Sequence, residues 1–400
     1  MSTPLRRNRP QGFSTRAIHL GYDPATAQGA LTPPIYMTST FAFETAEAGS
    51  EMFKGERPGY IYGRTRNPTQ TILEERMASL ENGEAAMTTG SGMAAISATM
   101  TTLLSSGDEA VIDHTVYGNT FAYFTQALPR FGITVRLADF TDPESLRDVV
   151  NEKTKIIFFE TPANPNLRVI DIAAVVAIGN SIGATVVVDN TFATPVLQRP
   201  LEMGVDVVVH SATKYLGGHG DLLGGVVIGR KDMLGQIRST GLRWITGATL
   251  SPFNCFLMMR GLKTLELRMG RHSSSALAIA QLLEGHGKVA TISYPGLESF
   301  SQYELAKRQM SGSGGLVAFE LDGGMDIGLA FMNKLQLVTR AVSLGDTETL
   351  VQHPASMTHA VYSAEERAKH GIGDGLLRLS VGLENPDDLL EDIEQALNAL

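Results

Sequence analysis

A lysine, Lys214, stands just past the apolar run in "VDVVVHSATKYLGGHG" (residues 205–220), between small hydroxyl residues and a glycine-rich turn. An ammonium held at the end of an apolar strand is desolvated, which lowers its pKa and frees the amine for Schiff-base chemistry; on an open loop it would stay solvated. Asp189 ends a second apolar run, "ATVVVDN". A carboxylate there either caps a turn or meets a cation, and the pyridinium nitrogen of pyridoxal phosphate is such a cation. In "TTGSGMAAIS" (residues 88–97) small residues lead straight into a helical pattern, so unpaired N–H groups would face an anion such as a phosphate. Arg378, inside "LLRLSVGL", either faces water from an edge strand or needs an anion, and its planar fork suits a carboxylate. Lysine, aspartate, phosphate nest and arginine together are what an enzyme acting on an amino acid through pyridoxal phosphate needs.

The elements that must position these residues are short Val/Ile-rich runs alternating with helical segments. "EAVIDHTVY", "ITVRLADF", "KIIFFE", "ATVVVDN", "VDVVVHS" and "GGVVIG" read as strands, and "TQTILEERMASLE", "GMAAISATMTTLLSS" and "IAAVVAIGNSIG" as helices. Apolar runs without alternation, spaced by helices, indicate a mostly parallel sheet covered on both faces, and such sheets put ligands at the carboxyl ends of their strands. Asp189, Asn164, Ser211, Thr213 and Lys214 all fall there. Beyond a helical stretch, "LVAFEL", "LVTRAVSLG" and "LLRLSVGL" alternate with helical pieces as a smaller α/β unit. Residues 1–65, rich in Pro, Thr, Gly and aromatics, read as an extended arm, residues 66–260 as the cofactor-binding domain and 261–400 as a C-terminal domain.

With 400 residues, 43% of them hydrophobic, the chain can bury one large core and a smaller one. The formal charge of −9 argues against nucleic acid and anionic membrane as partners, although Arg6, Arg7 and Arg9 make a small basic start. No apolar run is long enough to span a membrane or serve as a secretory signal, so a cytoplasmic protein is expected. A single cysteine, Cys255, forbids an internal disulfide and reads as a buried thiol; the nine histidines lack zinc-helix spacing, and no catalytic metal is expected. "TTGSGMAAIS" lacks the Gly-Lys-Ser/Thr ending of a Walker loop. No glycine fingerprint follows the first strand, as a nicotinamide dehydrogenase would require, and "HGIGDG" (residues 370–375) precedes a strand and reads as a loop.

The motifs "PPIY", "SGMAAI", "TPANPN", "ATVVVDNT", "VVHSATKYLGGHGD", "MRGLKTLELRM", "AVSLGD", "HPASMTH" and "LRLSVGLE" together resemble the cysteine/methionine-metabolism family of pyridoxal phosphate enzymes, cystathionine γ-synthase-like, over essentially the whole chain. Within it the motifs look most like methionine γ-lyase. The resemblance implies the fold type I, aspartate aminotransferase-like architecture of the PLP-dependent transferases. It implies that Lys214 forms the imine to the cofactor and acts as base, Asp189 pairs with the pyridine nitrogen, and Asn164 lies near the phenolic oxygen. Ser91, Gly92, Met93, Ser211 and Thr213 would hold the phosphate, Tyr117 would stack on the ring and act as acid, and Arg378 with Ser343 would bind the substrate carboxylate. Tyr62 and Arg64, in "YIYGRTRNPT", match a pair that in this family reaches the neighbouring subunit's phosphate, so the arm would clasp a partner in a dimer of dimers. The implied activity is γ-elimination from an L-amino acid through an external aldimine and a vinylglycine-type intermediate.

Substrate-tuning positions depart from methionine γ-lyase. Asn119 ("VYGNTF") replaces a cysteine, and Arg243 and Trp244 ("GLRWITGA") replace Lys-Asp. An amide that donates and accepts hydrogen bonds stands where a thiol would be, and Glu44 on the arm could meet a cationic substrate tail. The expectation is a methionine γ-lyase-like enzyme. The alternatives are a canavanine γ-lyase that releases hydroxyguanidine and forms homoserine, and an O-acetylhomoserine sulfhydrylase.

Overall fold

The computed structural model describes residues 11–358, Glu365, Arg367 and residues 371–400; the basic start at Arg6, Arg7 and Arg9 and His370 of "HGIGDG" lie outside the described residues. Six apolar runs form strands β2 (Glu109–Asp113), β3 (Thr134–Ala138), β4 (Thr154–Glu160), β5 (Thr185–Asp189), β6 (Val207–Ser211) and β7 (Gly225–Gly229). A seventh, β1 (Ala85–Thr89), completes a sheet of order β1-β7-β6-β5-β4-β2-β3. Strands β3, β2, β4, β5 and β6 are mutually parallel, and β7 runs antiparallel to both β6 and β1. The "AAMTT" of β1 has no β-branched apolar run; pairing with β7, from Ala85 opposite Gly229 to Thr89 opposite Gly225, makes it a strand.

The central strands lack alternation because both faces are covered. Val186, Val188 and Val208 pack in one cluster with Leu73 and Met77 of the Pro68–Leu80 helix and Val175 and Ile178 of the Ile172–Ile182 helix. Val187, Val207 and Val209 join Ala95, Ile96 and Ala98 of the Gly92–Leu103 helix on the other face. Each valine so withdrawn from water contributes about 1.5 kcal/mol or more. Edge strand β3 is largely exposed, and there the apolar pattern thins.

A second sheet, of order β10-β11-β12-β9-β8, comprises β8 (Val289–Ser293), β9 (Leu316–Leu321), β10 (Thr339–Arg340), β11 (Leu350–Gln352) and β12 (Leu376–Ser380). Leu377 and Leu379 of β12 pack with Val317, Phe319 and Ile393 in its core, so alternation turns Arg378 to the opposite face. The run "LVTRAVSLG" supplies only the two-residue β10; the chain then turns through Ser343 at φ 110° and Gly345 at φ 78°, which places Ser343 on a loop. Ser343 holds a left-handed backbone uncommon for a residue with a side chain. In the arm, the Phe13–His19 helix is tied down by Arg76, whose Nε donates to Leu20 O at 2.8 Å and Nη1 to Ala17 O at 3.2 Å.

Candidate active site

Strands β4, β5 and β6 end side by side, with Glu160 opposite Asp189 and Asp189 opposite Val209. Just past these ends opens a cavity of about 330 Å³ lined by Ser91, Gly92, Met93, Tyr117, Glu160, Asn164, Asp189, Ser211, Thr213, Lys214, Ser343, Gln352 and Arg378. Residues from three strand ends and the turns after them, one helix start and the second sheet thus meet in one place.

Lys214 donates from Nζ to Ser343 Oγ at 2.8 Å. Burial, helped by the nearby Arg378 guanidinium and opposed by Asp346, lowers its pKa to about 8. Asp189 is also withdrawn from water, which raises its pKa, while hydrogen bonds from Thr191 oppose the rise. Thr191 donates from N at 2.9 Å and from Oγ1 at 2.5 Å, both to Oδ1. Oδ2 accepts nothing from Thr191, and Asp189 lines the cavity. Beside it the buried Glu160 carboxyl, pushed well above the ordinary range by burial and then by Asp189, accepts the Tyr117 N–H at 2.8 Å.

The helix Gly92–Leu103 begins at the cavity with Ser91 as its N-cap, Oγ accepting from Ala94 N at 3.1 Å. Helix geometry leaves the Gly92 and Met93 N–H groups without intrahelical partners. A Cβ on Gly92 would stand 2.8 Å from Ser211 Cβ and 3.0 Å from its Cα, so the helix start reaches β6 only because residue 92 has no side chain. These N–H groups, with the Ser211 and Thr213 hydroxyls, form a nest for an anion.

Arg378 is buried, and its Nη1 donates to Asn164 Oδ1 at 2.6 Å and its Nη2 to Ser343 O at 2.7 Å. Burial lowers its pKa to about 10, which leaves it charged at neutral pH. Tyr117 is partly exposed at the cavity mouth, and its Oη accepts from Asn119 Nδ2 at 2.9 Å.

The description "Cys/Met metabolism PLP-dependent enzyme" matches residues 14–398. This chain belongs to that family. It is 55% identical to the L-methionine gamma-lyase of Pseudomonas putida over 392 residues, 98% of each chain. It is 57% identical to the L-methionine gamma-lyase of Pseudomonas deceptionensis over 390 residues, 97% of this chain and 98% of the relative. The crystal structure of cystathionine gamma synthase from Xanthomonas oryzae pv. oryzae in complex with cystathionine superposes with a TM-score of 0.92 at 42% identity, covering 98% of both chains. The family member described here is therefore a pyridoxal 5′-phosphate-dependent lyase of the γ-elimination class, with the mostly parallel fold type I sheet that the sequence leads one to expect.

The residues present fit the cofactor: a desolvated amine, a buried carboxylate with one oxygen unengaged by Thr191, and an anion nest that a Cβ would close. Gly92→Ala is expected to push the helix start off Ser211 and weaken cofactor binding by about tenfold or more, the worth of a charge-assisted hydrogen bond. Titrating the apoenzyme with pyridoxal phosphate and following visible absorbance checks this; unchanged affinity would show that residue 92 has room.

Glu160, Thr191 and Gln352 line the cavity without having stood out in the sequence. Glu160 did carry a signal, since it ends "KIIFFE" as Asp189 ends its own run. Tyr62, Arg64 and Arg243 instead line a separate hollow with Thr40, Phe43 and Phe53, where Arg64 Nη1 donates to Arg243 O at 2.6 Å. Trp244 is 70% exposed, and Glu44 pairs with Arg57 at 2.8 Å on the arm surface. None of these five residues reaches the Lys214 cavity of its own chain. Among the described residues no helix is long and apolar enough to cross a membrane, and the one carboxylate–histidine group within metal-ligating reach, Asp113, His114 and Asp139, already holds Arg168.

Proposed function

We propose that this chain cleaves the bond between the γ-carbon and a heteroatom leaving group of an L-amino acid, with a methionine-like thioether as the first reading. The observation that carries it is the convergence of Lys214, Tyr117 and Arg378 on one cavity in a chain more than half identical to L-methionine gamma-lyases. When bound, pyridoxal phosphate supplies the electron sink that makes an α-proton removable. Arg378 holds the substrate carboxylate, Asn164 and the Ser343 carbonyl fixing the guanidinium in place. Lys214 Nζ, uncharged above about pH 8, takes the α-proton. The Asp189 carboxylate would hold the positive charge of the cofactor's ring, and Ser91, Gly92, Met93, Ser211 and Thr213 would hold its phosphate. A second proton leaves the β-carbon, its electron pair forms the Cβ–Cγ double bond as the heteroatom departs, and Tyr117 Oη, on the cavity rim, gives that heteroatom a proton. Hydrolytic completion releases 2-oxobutanoate, ammonia and the protonated leaving group.

The exposed arm surface supports a second copy of the chain as partner. Leu31, Met37 and Phe53 of the arm are exposed, as are Trp244 and Ile245, and Phe53 lines one hollow with Tyr62, Arg64 and Arg243. A neighbour seated on this surface would receive Tyr62 and Arg64 at its phosphate, and Arg243, Trp244 and Glu44 at its pocket mouth. The protein would then work as a dimer of dimers in the cytoplasm.

One observation favours an oxygen-linked substrate such as canavanine as second reading. The Asn119 amide donates to Tyr117 Oη, which leaves its own oxygen as an acceptor for an N–H-bearing leaving group such as an oxyguanidine. A panel of methionine, homocysteine, cystathionine, canavanine and O-acetylhomoserine with sulfide, tracking keto acid, thiol and homoserine separately, decides between these. Keto acid with thiol from methionine supports the first reading, and homoserine from canavanine with little thiol from methionine supports the second. Asn119→Cys is expected to raise thioether turnover and lower that of canavanine. Absence of any γ-cleavage across the panel would overturn both.

A further inference from the structure

Gln352 closes β11 directly opposite Arg378 of β12, so the two side chains share one face of the sheet. On the other flank of Arg378, β9 presents Ala318, which is small enough to leave the guanidinium its space. Gln352 is 1% exposed and lines the cavity. Arginine offers only donors, so the carboxamide must turn its oxygen toward the guanidinium, where it stands over the charged face at 3.2 Å from Nε, 3.1 Å from Nη1 and 3.2 Å from Nη2. With Asn164 Oδ1 and Ser343 O, the acceptors around Arg378 among the described residues are then neutral, and no carboxylate of those residues forms an ion pair with it.

A buried cation normally demands an anion. Here three neutral oxygens surround the fork, and the Glu160 carboxyl acts on it only from a distance, so no ion pair neutralises its charge. Resting on the reading that Arg378 meets the substrate carboxylate, we propose that Gln352 is a positioning and specificity residue: a neutral acceptor that orients the guanidinium while reserving its positive charge for a carboxylate, so that the pocket admits free amino acids and rejects their amides. A glutamate at this position has the same length and would pre-neutralise Arg378.

The test uses the holoenzyme and two unreactive probes, L-alanine and L-alaninamide, each titrated against the visible absorbance of the bound cofactor. It requires no turnover, so failure of the γ-cleavage reading would show in the substrate panel and not here. Gln352→Glu is expected to cut the preference for alanine over alaninamide by about tenfold or more, as an uncompensated charge becomes paired. Gln352→Met removes the acceptor and adds no charge, so alanine binding should weaken several-fold while alaninamide binding stays constant. A merely structural role would weaken both probes equally in both variants. Preference retained within twofold in Gln352→Glu overturns the proposal. If that variant does not hold cofactor, Gln352→Met decides: unchanged alanine affinity, or equal loss of both probes, overturns it.

Discussion

Lys214→Ala is expected to lower turnover by about a thousandfold or more, since in the proposed reaction one side chain supplies both the covalent anchor and the base, each a large effect alone. The visible absorbance of the purified protein should fall with it, because no amine remains at the strand end to bond the cofactor aldehyde. The pH dependence follows from the same group. Burial lowers the Lys214 pKa from 10.5 to about 8, so the nucleophilic, uncharged amine grows as pH rises toward 8 and saturates beyond it. The rate at which wild-type apoenzyme gains absorbance with pyridoxal phosphate should therefore level off above pH 8. A rate that kept climbing to the pH of an ordinary lysine would mean that Nζ is solvated, and an absorbing, active Lys214→Ala variant would remove Lys214 from the chemistry altogether.

The second large effect is expected for Asp189→Asn, which keeps the size and the Thr191 contacts and deletes the charge. Its carboxylate lies in a water-poor strand end, where charge interactions are strong. Losing one preorganised charge partner there should lower kcat by about a hundred- to a thousandfold. The substrate KM should change much less, because Arg378 rather than Asp189 is placed to meet the substrate. Steady-state kinetics of the variant, with cofactor content verified by absorbance, checks the split. A kcat within a few-fold of wild type would show that the ring nitrogen does not depend on this carboxylate.

The parts of this site that were legible in the sequence are those set by local pattern. Apolar runs without alternation announce buried parallel strands, and Asp189 and Lys214 follow such runs directly. The glycine and serine at the start of the Gly92–Leu103 helix likewise announce an anion nest. Strand β1 was not legible, because its register comes from β7, some 140 residues later, and not from its own "AAMTT". Glu160 was hidden because a carboxyl ending an apolar run acquires meaning only beside its cross-strand neighbour Asp189.

By itself, then, the sequence determined the cofactor chemistry, since strand ends, a desolvated lysine and a small-residue helix start are written in contiguous residues. Only the tertiary structure decided what surrounds Arg378, the residue proposed to meet the substrate's carboxylate. Arg378 and Asn164 are 214 positions apart, and no local pattern brings them to 2.6 Å. Docking of the second sheet over the ends of the first does so, and it also surrounds the guanidinium with neutral oxygens. The same division explains why Tyr62, Arg64 and Trp244 lie outside their own chain's cavity. Tyr62 and Arg64 line a hollow with Arg243, 179 positions after Arg64, and Trp244 is left exposed, which again is a matter of tertiary packing that residue order alone does not encode.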